Sequence, residues 1–389
     1  MNNVFLLSSA NEHTYTFIDS LINEFSISAD EIVVFLYDSD DASNFLFPDI
    51  LSNVRVLYKS DSSIYEILRN SKTVTISSLN PENSKVVVDF NESGCLEYRK
   101  LCVRITDDEV DRWVENFESH SKLTISSKSL IDHNVLTVLD SVENFLCLDR
   151  PWGDLLRKIL RRDINVINAT PFGRVIPDPF VYEIFDGVVR KSALRQLDKE
   201  SLVRVLLFTK PHPISNSMII LRRFAKELLF MKRQNSPKKI EFLVWKRRRI
   251  RHPIYFLIKF LCFVLARAKG FRIEFCEISP LPKESYLLTL YRCQYLILQS
   301  RGGLGAAFEF FRHGGQVIVE SDSLNSEVFD NFPTENIVHA SNKFKYIKYL
   351  MDDRVNNLER YFETNRGLAR CAVEVARKEY RKKYKKFYG

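Results

Sequence analysis

This sequence of 389 residues lacks paired cysteines, the glycine-rich fingerprints of the common nucleotide folds, and any long hydrophobic run. Its seven cysteines (Cys95, Cys102, Cys147, Cys262, Cys276, Cys293 and Cys371) are scattered and odd in number. No C-x-x-C pair and no histidine pair at ligand spacing accompanies them, so neither a disulfide framework nor a structural zinc site is expected, and the thiols read as reduced. Glycine (12 residues) and proline (13) are too few for collagen-like or low-complexity chains. An aromatic content of 12% argues against disorder.

The longest apolar stretch runs from Ile254 to Ala266 and is broken by Lys259; a membrane span needs about 20 such residues. The opening MNNVFLLSSANEH has neither a charged leader nor an extended apolar segment, and no signal peptide is expected. Neither G-x-G-x-x-G nor G-x-x-x-x-G-K-[ST] occurs, which disfavours standard nicotinamide and ATP sites. No RNA- or DNA-binding module signature is present, and no nucleic-acid partner is expected.

The sequence does carry an uneven charge. Net charge is +8, yet residues 1–120 hold 21 Asp/Glu against 9 Lys/Arg, and residues 221–283 hold 17 Lys/Arg against 4 Asp/Glu. From Arg377 to Gly389 there are seven Lys/Arg and one Glu. A basic half suits phosphate-bearing partners: a nucleotide, a nucleic acid, a lipid pyrophosphate or an anionic bilayer, and a non-enzymatic binder of nucleic acid or an anionic surface is one alternative function.

Short β-branched runs alternate with helical spacing. In the first half the strands are Val4–Leu7, Ile32–Tyr37, Val54–Tyr58, Val74–Ile76 and Lys85–Phe90, with a helix over Thr14–Phe25. Pro151, Pro171, Pro177 and Pro179, with Gly173 and Gly187, punctuate a junction. A second series then reads strand Leu202–Phe208, helix Met218–Met231, strand Lys239–Trp245, helix Ile254–Ala268, strand Arg272–Glu277, helix Lys283–Arg292, strand Gln294–Leu298, helix Ala306–Arg312 and strand Gln316–Glu320. Such alternation predicts an α/β architecture of parallel sheets with helices on their faces. The division expected is an N-terminal lobe (1–170), a hinge (171–200), a C-terminal lobe (201–365) and a basic C-terminal helix or tail (366–389).

One segment reads strand, glycine turn, helix, glycine pair, strand: Leu296-Ile-Leu-Gln-Ser-Arg-Gly-Gly-Leu-Gly-Ala-Ala-Phe-Glu309, then Phe310 to Val319. Gly302, Gly303 and Gly305 allow a ligand to approach the backbone closely. The helix that follows aims its free N–H groups at that spot, and Ser300 and Arg301 adjoin it; a diphosphate fits. Glu309, one turn further on, is placed to accept hydrogen bonds from a ribose. A tight packing turn with Glu309 on a solvated face is the alternative. Upstream, Thr209-Lys-Pro-His-Pro213 follows a buried strand directly, making Lys210 and His212 candidate phosphate contacts.

This segment resembles the nucleotide-binding lobe of GT-B glycosyltransferases, and more specifically glycosyltransferase family 56, the TDP-Fuc4NAc transferases of enterobacterial common antigen assembly. The likeness runs through Tyr286-Leu-Leu-Thr-Leu-Tyr-Arg-Cys-Gln-Tyr-Leu-Ile-Leu, Arg301-Gly-Gly-Leu-Gly and Gly315-Gln-Val-Ile-Val, with weaker echoes at Leu155–Thr170 and at His13. The family's Gly-Asn-Ser-Gly loop is absent; Phe208-Thr-Lys-Pro-His-Pro-Ile-Ser215 stands there instead. That loop is similar to the His-Pro motif of bacterial sialyltransferases and capsule polymerases, with Asp186-Gly187 and Ser300 as partial matches, which implies a CMP-sugar as the alternative donor.

The resemblance implies two Rossmann-like lobes facing an interlobe cleft, with residues 1–170 as the acceptor-binding lobe and 201–365 as the nucleotide-sugar-binding lobe. It implies a nucleotide-sugar co-substrate, TDP- or CMP-linked, and no resident cofactor. The implied acceptor is a lipid-linked glycan or oligosaccharide in surface polysaccharide synthesis, at the cytoplasmic face of the plasma membrane. An inverting transfer needs a base near the acceptor hydroxyl. His13 and Asp89 are the candidates, with Glu12 and Asp38 also placed after strands. No metal site is expected: the Asp38, Asp40 and Asp41 cluster reads as a solvated turn. Lys246-Arg-Arg-Arg-Ile-Arg251 is expected to touch anionic lipid, and the apolar face of the helix after it to be buried.

Overall fold

The structure is a computed structural model that describes residues 2–8, 17–40, 53–105, 109–168, 190–199, 201–210, 214–234, 238–245, 253–279, 281, 283–300, 302–330, 332, 336–352 and 358–389. The chain divides into two compact units: Met1–Gly173 together with Ala376–Gly389, and Arg174–Val375.

The first unit holds seven strands: β1 (Asn3–Leu7), β2 (Ile32–Leu36), β3 (Arg55–Tyr58), β4 (Thr73–Ser77), β5 (Leu101–Arg104), β6 (Asn144–Cys147) and β7 (Asn165–Asn168). They pair in the order β3-β2-β1-β4-β5-β6-β7, every pair parallel. Parallel neighbours need long crossovers. These carry α1 (Ile64–Arg69), α2 (Pro81–Glu92), α3 (Glu109–His120), α4 (His133–Ser141) and α5 (Asp154–Leu160). Every residue of β1 and β2 is buried, as continuous apolar strands covered on both faces require.

The segment Lys85–Phe90, expected as a strand, lies inside α2. Local start chemistry outweighs the β-branched Val86-Val87-Val88. Asn80 accepts hydrogen bonds from the amides of Glu82 and Asn83, Asn83 Oδ1 accepts from the Asn80 amide, and Pro81 takes the first helical position. Asn83, Val87 and Phe90 then fall on the buried face at helical spacing. Asp89 therefore sits exposed in the last turn of a helix, and the reason for its choice, a place at a strand end, is gone.

The second unit holds β8 (Leu202–Leu207), β9 (Lys239–Trp245), β10 (Arg272–Ile278), β11 (Tyr295–Ile297), β12 (Gln316–Glu320) and β13 (Ile337–Ala340), all parallel, in the order β10-β9-β8-β11-β12-β13. Its helices are α6 (Arg190–Lys199), α7 (Ile214–Phe230), α8 (Pro253–Ala268), α9 (Lys283–Tyr291), α10 (Leu304–Arg312), α11 (Leu324–Phe329) and α12 (Tyr346–Met351). A last helix, α13 (Leu358–Tyr388), begins in the second unit and ends in the first. The stretch expected as a hinge includes α6, a packed element: Leu194 and Leu197 are buried with Leu202 and Phe362.

Two elements depart from their sequence reading in burial. Of the apolar run in α8, only Ile258, Cys262 and Ala266 are buried, at i, i+4 and i+8. Ile254, Phe256, Leu257, Phe260, Leu261 and Val264 are exposed, so the apolar face expected in the core is largely outside it. The C-terminal stretch, in contrast, is no loose tail. Tyr384 and Tyr388 are buried in the first unit's core, Tyr384 stacks on Phe25 at 4.4 Å, and Asn3 Nδ2 donates to the Tyr388 carbonyl at 2.8 Å.

Candidate functional site

Both sheets reverse strand order internally, at β1/β4 and at β8/β11. In open parallel sheets, ligands bind beyond the carboxyl ends of the strands at such a reversal, because adjacent loops there diverge to opposite faces. In the second unit those loops are the two that the sequence singles out: Phe208–Lys210 after β8 and Leu298–Gly303 after β11.

One side chain binds the two loops together. Gln299, 1% exposed, accepts at Oε1 from the Thr209 amide (3.1 Å) and donates through Nε2 to Thr209 Oγ1 (2.7 Å) and to the Gly302 carbonyl (3.0 Å). Asn325, in α11, donates to the carbonyls of Gln299 (2.6 Å) and Gly302 (2.9 Å), and its amide donates to the Ser300 carbonyl (3.2 Å). Buried polar groups this well satisfied fix a loop in one conformation. Phe208, between β8 and Thr209, has φ +68°, a left-handed backbone that a non-glycine residue adopts only at a cost. Its carbonyl accepts from Trp245 Nε1 at 3.0 Å.

On this platform stands the start of α10. Gly302 and Gly303 both have φ +72°, and Gly303 is the helix N-cap. A Cβ on Gly303 would lie 1.9 Å from Thr209 Oγ1 and 2.2 Å from Gln299 Nε2, so only glycine fits where the two loops touch. Around Gly305 the space is open among the described residues, none of which comes within 4 Å of a built Cβ. The first amides of a helix have no acceptor within it. In α2, α4 and α11 a side chain supplies one (Asn80, Asp132 and Ser323); in α10 none does. The start of α10 thus combines an uncapped positive dipole end, open space at Gly305 and the exposed Lys210 at the end of β8. This is chemistry for an anion such as a diphosphate. Half-buried Ser300 leads into the turn; Arg301 and His212 lie outside the described residues.

Glu309 is placed differently from the open carboxylate expected for a ribose. It is 1% exposed, and its Oε1 accepts from Tyr291 Oη and from His313 Nε2, both at 3.0 Å. Burial pushes its acidity down, but the hydrogen bond and charge of His313, with Arg312 and Tyr291, outweigh that and hold the carboxyl below the usual carboxylate range. The pattern has a physical reason: Glu309 and His313 are an i, i+4 pair on a helix whose neighbouring Phe308, Phe310 and Phe311 are all buried. In this arrangement Glu309 ties the ends of α9 and α10 together behind the turn.

In the first unit, His13 and Glu12 follow β1 in sequence, and residues 9–16 lie outside those described. Asp38 is exposed just beyond β2. Among the described residues, Glu241, Glu274 and Cys276 bring potential metal-ligating atoms within 4.8 Å of one another. Both carboxylates are already paired with cations, Glu241 with Arg204 and Glu274 with Lys239, which makes the group an ion-pair network across β8, β9 and β10.

No family model matches the sequence, and no curated protein matches it. Solved structures do match. An α,α-trehalose 6-phosphate synthase from Burkholderia multivorans is 10% identical with a TM-score of 0.56, over all of this chain and 96% of that one. An apo structure of OtsA gives 6% identity and a TM-score of 0.59 over 98% of each chain. A UDP-forming α,α-trehalose-phosphate synthase from Burkholderia xenovorans, in complex with glucose-6-phosphate, gives 9% and 0.52 over all of both chains. At such identities the likeness is one of fold: two parallel sheets with flanking helices in the GT-B arrangement. The resemblance drawn from the sequence holds at the GT-B level; these neighbours are trehalose-phosphate synthases and not members of family 56.

Proposed function

We propose that the protein is a glycosyltransferase that takes a sugar from a nucleotide-sugar donor, with the donor diphosphate seated at the start of α10. The observation that carries this reading is the uncapped, open N-terminus of α10 at the β8/β11 reversal, locked to the β8 loop by Gln299. The GT-B fold and the UDP-forming neighbour support it. In such a transfer the acceptor hydroxyl forms a bond to the anomeric carbon while the bond from that carbon to the diphosphate oxygen breaks. Negative charge grows on the departing diphosphate. Preorganised amides and cations placed there stabilise that charge with little reorganisation. The amides of the α10 start and Lys210 supply this role, joined by Arg301 and His212 from the adjoining segments. Glu309 acts through Tyr291 and His313 as a positioning residue for the turn.

His13, in the segment after β1, is the proposed base toward the acceptor hydroxyl. The acceptor is a sugar or sugar-bearing molecule. A lipid-linked glycan of a surface polysaccharide, at the cytoplasmic face of the plasma membrane, is the finer form of this reading and rests on the sequence resemblance.

The test is a thermal-shift panel of UDP, TDP, GDP and CMP with their sugar conjugates, on wild type, Lys210→Ala and Gly305→Ala. A ligand that binds only the folded state raises the midpoint by mass action. The expected result is a rise with one nucleoside diphosphate that is reduced in both variants. A rise with CMP alone assigns the donor to the His-Pro alternative. No rise with any nucleotide overturns the donor site.

A further inference from the structure

The outer face of α7 and α8 fits a partner that the proposed transfer does not require. α8 packs inward through Ile258, Cys262 and Ala266, with Tyr255 and Leu265 partly buried beside them, and its Cys262 Sγ donates to the Leu221 carbonyl of α7. Ile254, Phe256, Leu257, Phe260, Leu261 and Val264 are exposed, Leu257 and Phe260 at 64% and 63%. On α7, Leu229 and Phe230 are exposed as well, and Lys269 Nζ, just past the end of α8, donates to the Leu229 carbonyl. The six exposed apolar side chains on α8 form the kind of surface patch that marks a binding site.

The charge on these two helices is mostly of one sign, with Lys259 of α8 paired to Glu277 of β10 at 3.2 Å. α7 and α8 carry five Lys/Arg and a single acid, Glu227. That carboxylate is turned inward, accepting from the amides of Ile347 (2.9 Å) and Lys348 (2.7 Å). Arg222, Lys226 and Arg267 are exposed on the two helices, and Lys232 and Arg233 follow α7. The six residues Lys246–Arg251, just upstream of α8 in sequence, add five more cations. A second copy docked face to face would set these like charges against each other.

An anionic bilayer satisfies both halves of the pattern. Phosphate headgroups meet the cations, and the acyl boundary accepts the phenylalanine and leucine side chains. Among the described residues no helix is long and apolar enough to cross a membrane. A 16-residue helix, about 24 Å long, can lie in the headgroup plane instead. We propose that the exposed face of α8, with Leu229 and Phe230, inserts into the interface of an anionic lipid bilayer and holds the second unit on it.

The experiment is co-sedimentation of the full chain with vesicles of neutral phosphatidylcholine, with and without 30% phosphatidylglycerol, in about 0.1 M and about 0.5 M salt. Wild type is compared with the triple variant Phe256→Ser, Leu257→Ser, Phe260→Ser. These side chains are exposed, so the thermal midpoint of the variant and its response to nucleotide stay those of wild type. The expected result is binding to the anionic vesicles, weakened by salt, and lowered at least tenfold in the triple variant. Wild-type binding that the variant retains in full overturns the insertion of α8, as does a wild type that ignores vesicles. A dimer of wild type in sedimentation velocity that dissociates in the variant also overturns it and assigns the face to a second copy. Vesicle binding and nucleotide binding are read separately, so loss of one leaves the other intact.

Discussion

Gly303→Ala isolates the contact on which the donor site rests. A Cβ there lies 1.9 Å from Thr209 Oγ1 and 2.2 Å from Gln299 Nε2, and φ is +72°. The left-handed backbone costs a non-glycine residue about 1–2 kcal/mol. Pushing Thr209 and Gln299 aside adds about 1–3 kcal/mol for overpacking. It also opens the hydrogen bonds that Gln299 makes to the Thr209 hydroxyl and amide, and a buried polar group left unsatisfied costs about 1–3 kcal/mol. The expected loss is therefore about 3–8 kcal/mol, a large part of a typical domain's stability of about 5–15 kcal/mol.

Gly305→Ala is the matched control. Its Cβ, in the first turn of α10, meets nothing within 4 Å among the described residues. Alanine there is neutral or stabilising, by up to about 1 kcal/mol. Urea denaturation followed by circular dichroism and by tryptophan fluorescence measures both variants, and the midpoint shift is converted with the slope of each transition. A Gly303→Ala protein within about 1 kcal/mol of wild type would falsify the close contact between the two loops. A Gly305→Ala protein that folds as wild type and still takes nucleotide with unchanged midpoint rise removes the phosphate from the start of α10.

Three further perturbations follow from the same geometry. Gln299→Leu leaves the Thr209 amide and hydroxyl without this partner, and a loss of about 2–4 kcal/mol is expected in the same denaturation assay; an unchanged midpoint contradicts the cross-link. Glu309, held below its ordinary value of 4.5, stabilises the fold fully above the unfolded carboxylate value and loses that contribution as pH falls through its folded value. Glu309→Gln should lower stability at neutral pH and flatten the decline below about pH 4.5; parallel stability–pH curves for variant and wild type would show that the carboxylate is not so held. Tyr384→Ala removes a fully buried ring stacked on Phe25 and should cost the first unit about 3–5 kcal/mol; limited proteolysis that finds the first unit as resistant as in wild type refutes it.

The second unit was nearly readable from sequence, because its strands are short apolar runs separated by strongly periodic helices. The expected strands Leu202–Phe208, Lys239–Trp245 and Gln316–Glu320 match β8, β9 and β12 within a residue. In the first unit Lys85–Phe90 misled, since a run of valines reads as a strand unless the Asn80-Pro81 start is weighed. The glycine turn was legible; what holds it was not. Gln299 and Asn325 matter only once β8 and β11 are known to be neighbours, and 90 residues separate Thr209 from Gln299. The one hint was a glutamine closing an apolar strand. Glu309 was misplaced for a related reason: its i, i+4 partner His313 and the surrounding phenylalanines signal a buried pair, a signal that the analogy with ribose-binding carboxylates overrode. The apolar character of α8 was plain in the sequence, but which side of it meets the sheet depends on tertiary packing.

The route of α13 has a consequence for how the protein is made. β1 and the helical turn at Ser20–Glu24 are translated before the second unit, yet the side chains that close over them, Tyr384 and Tyr388, are translated after it. Domains usually fold in the order of their synthesis. Here the earlier half stays unsealed, with Phe5, Phe17 and Phe25 lacking their aromatic lid, while some two hundred residues of the other half are being added. Until residues 376–389 are made, the apolar face around Phe5, Phe17 and Phe25 stays open, and docking of that segment is the event that shuts it.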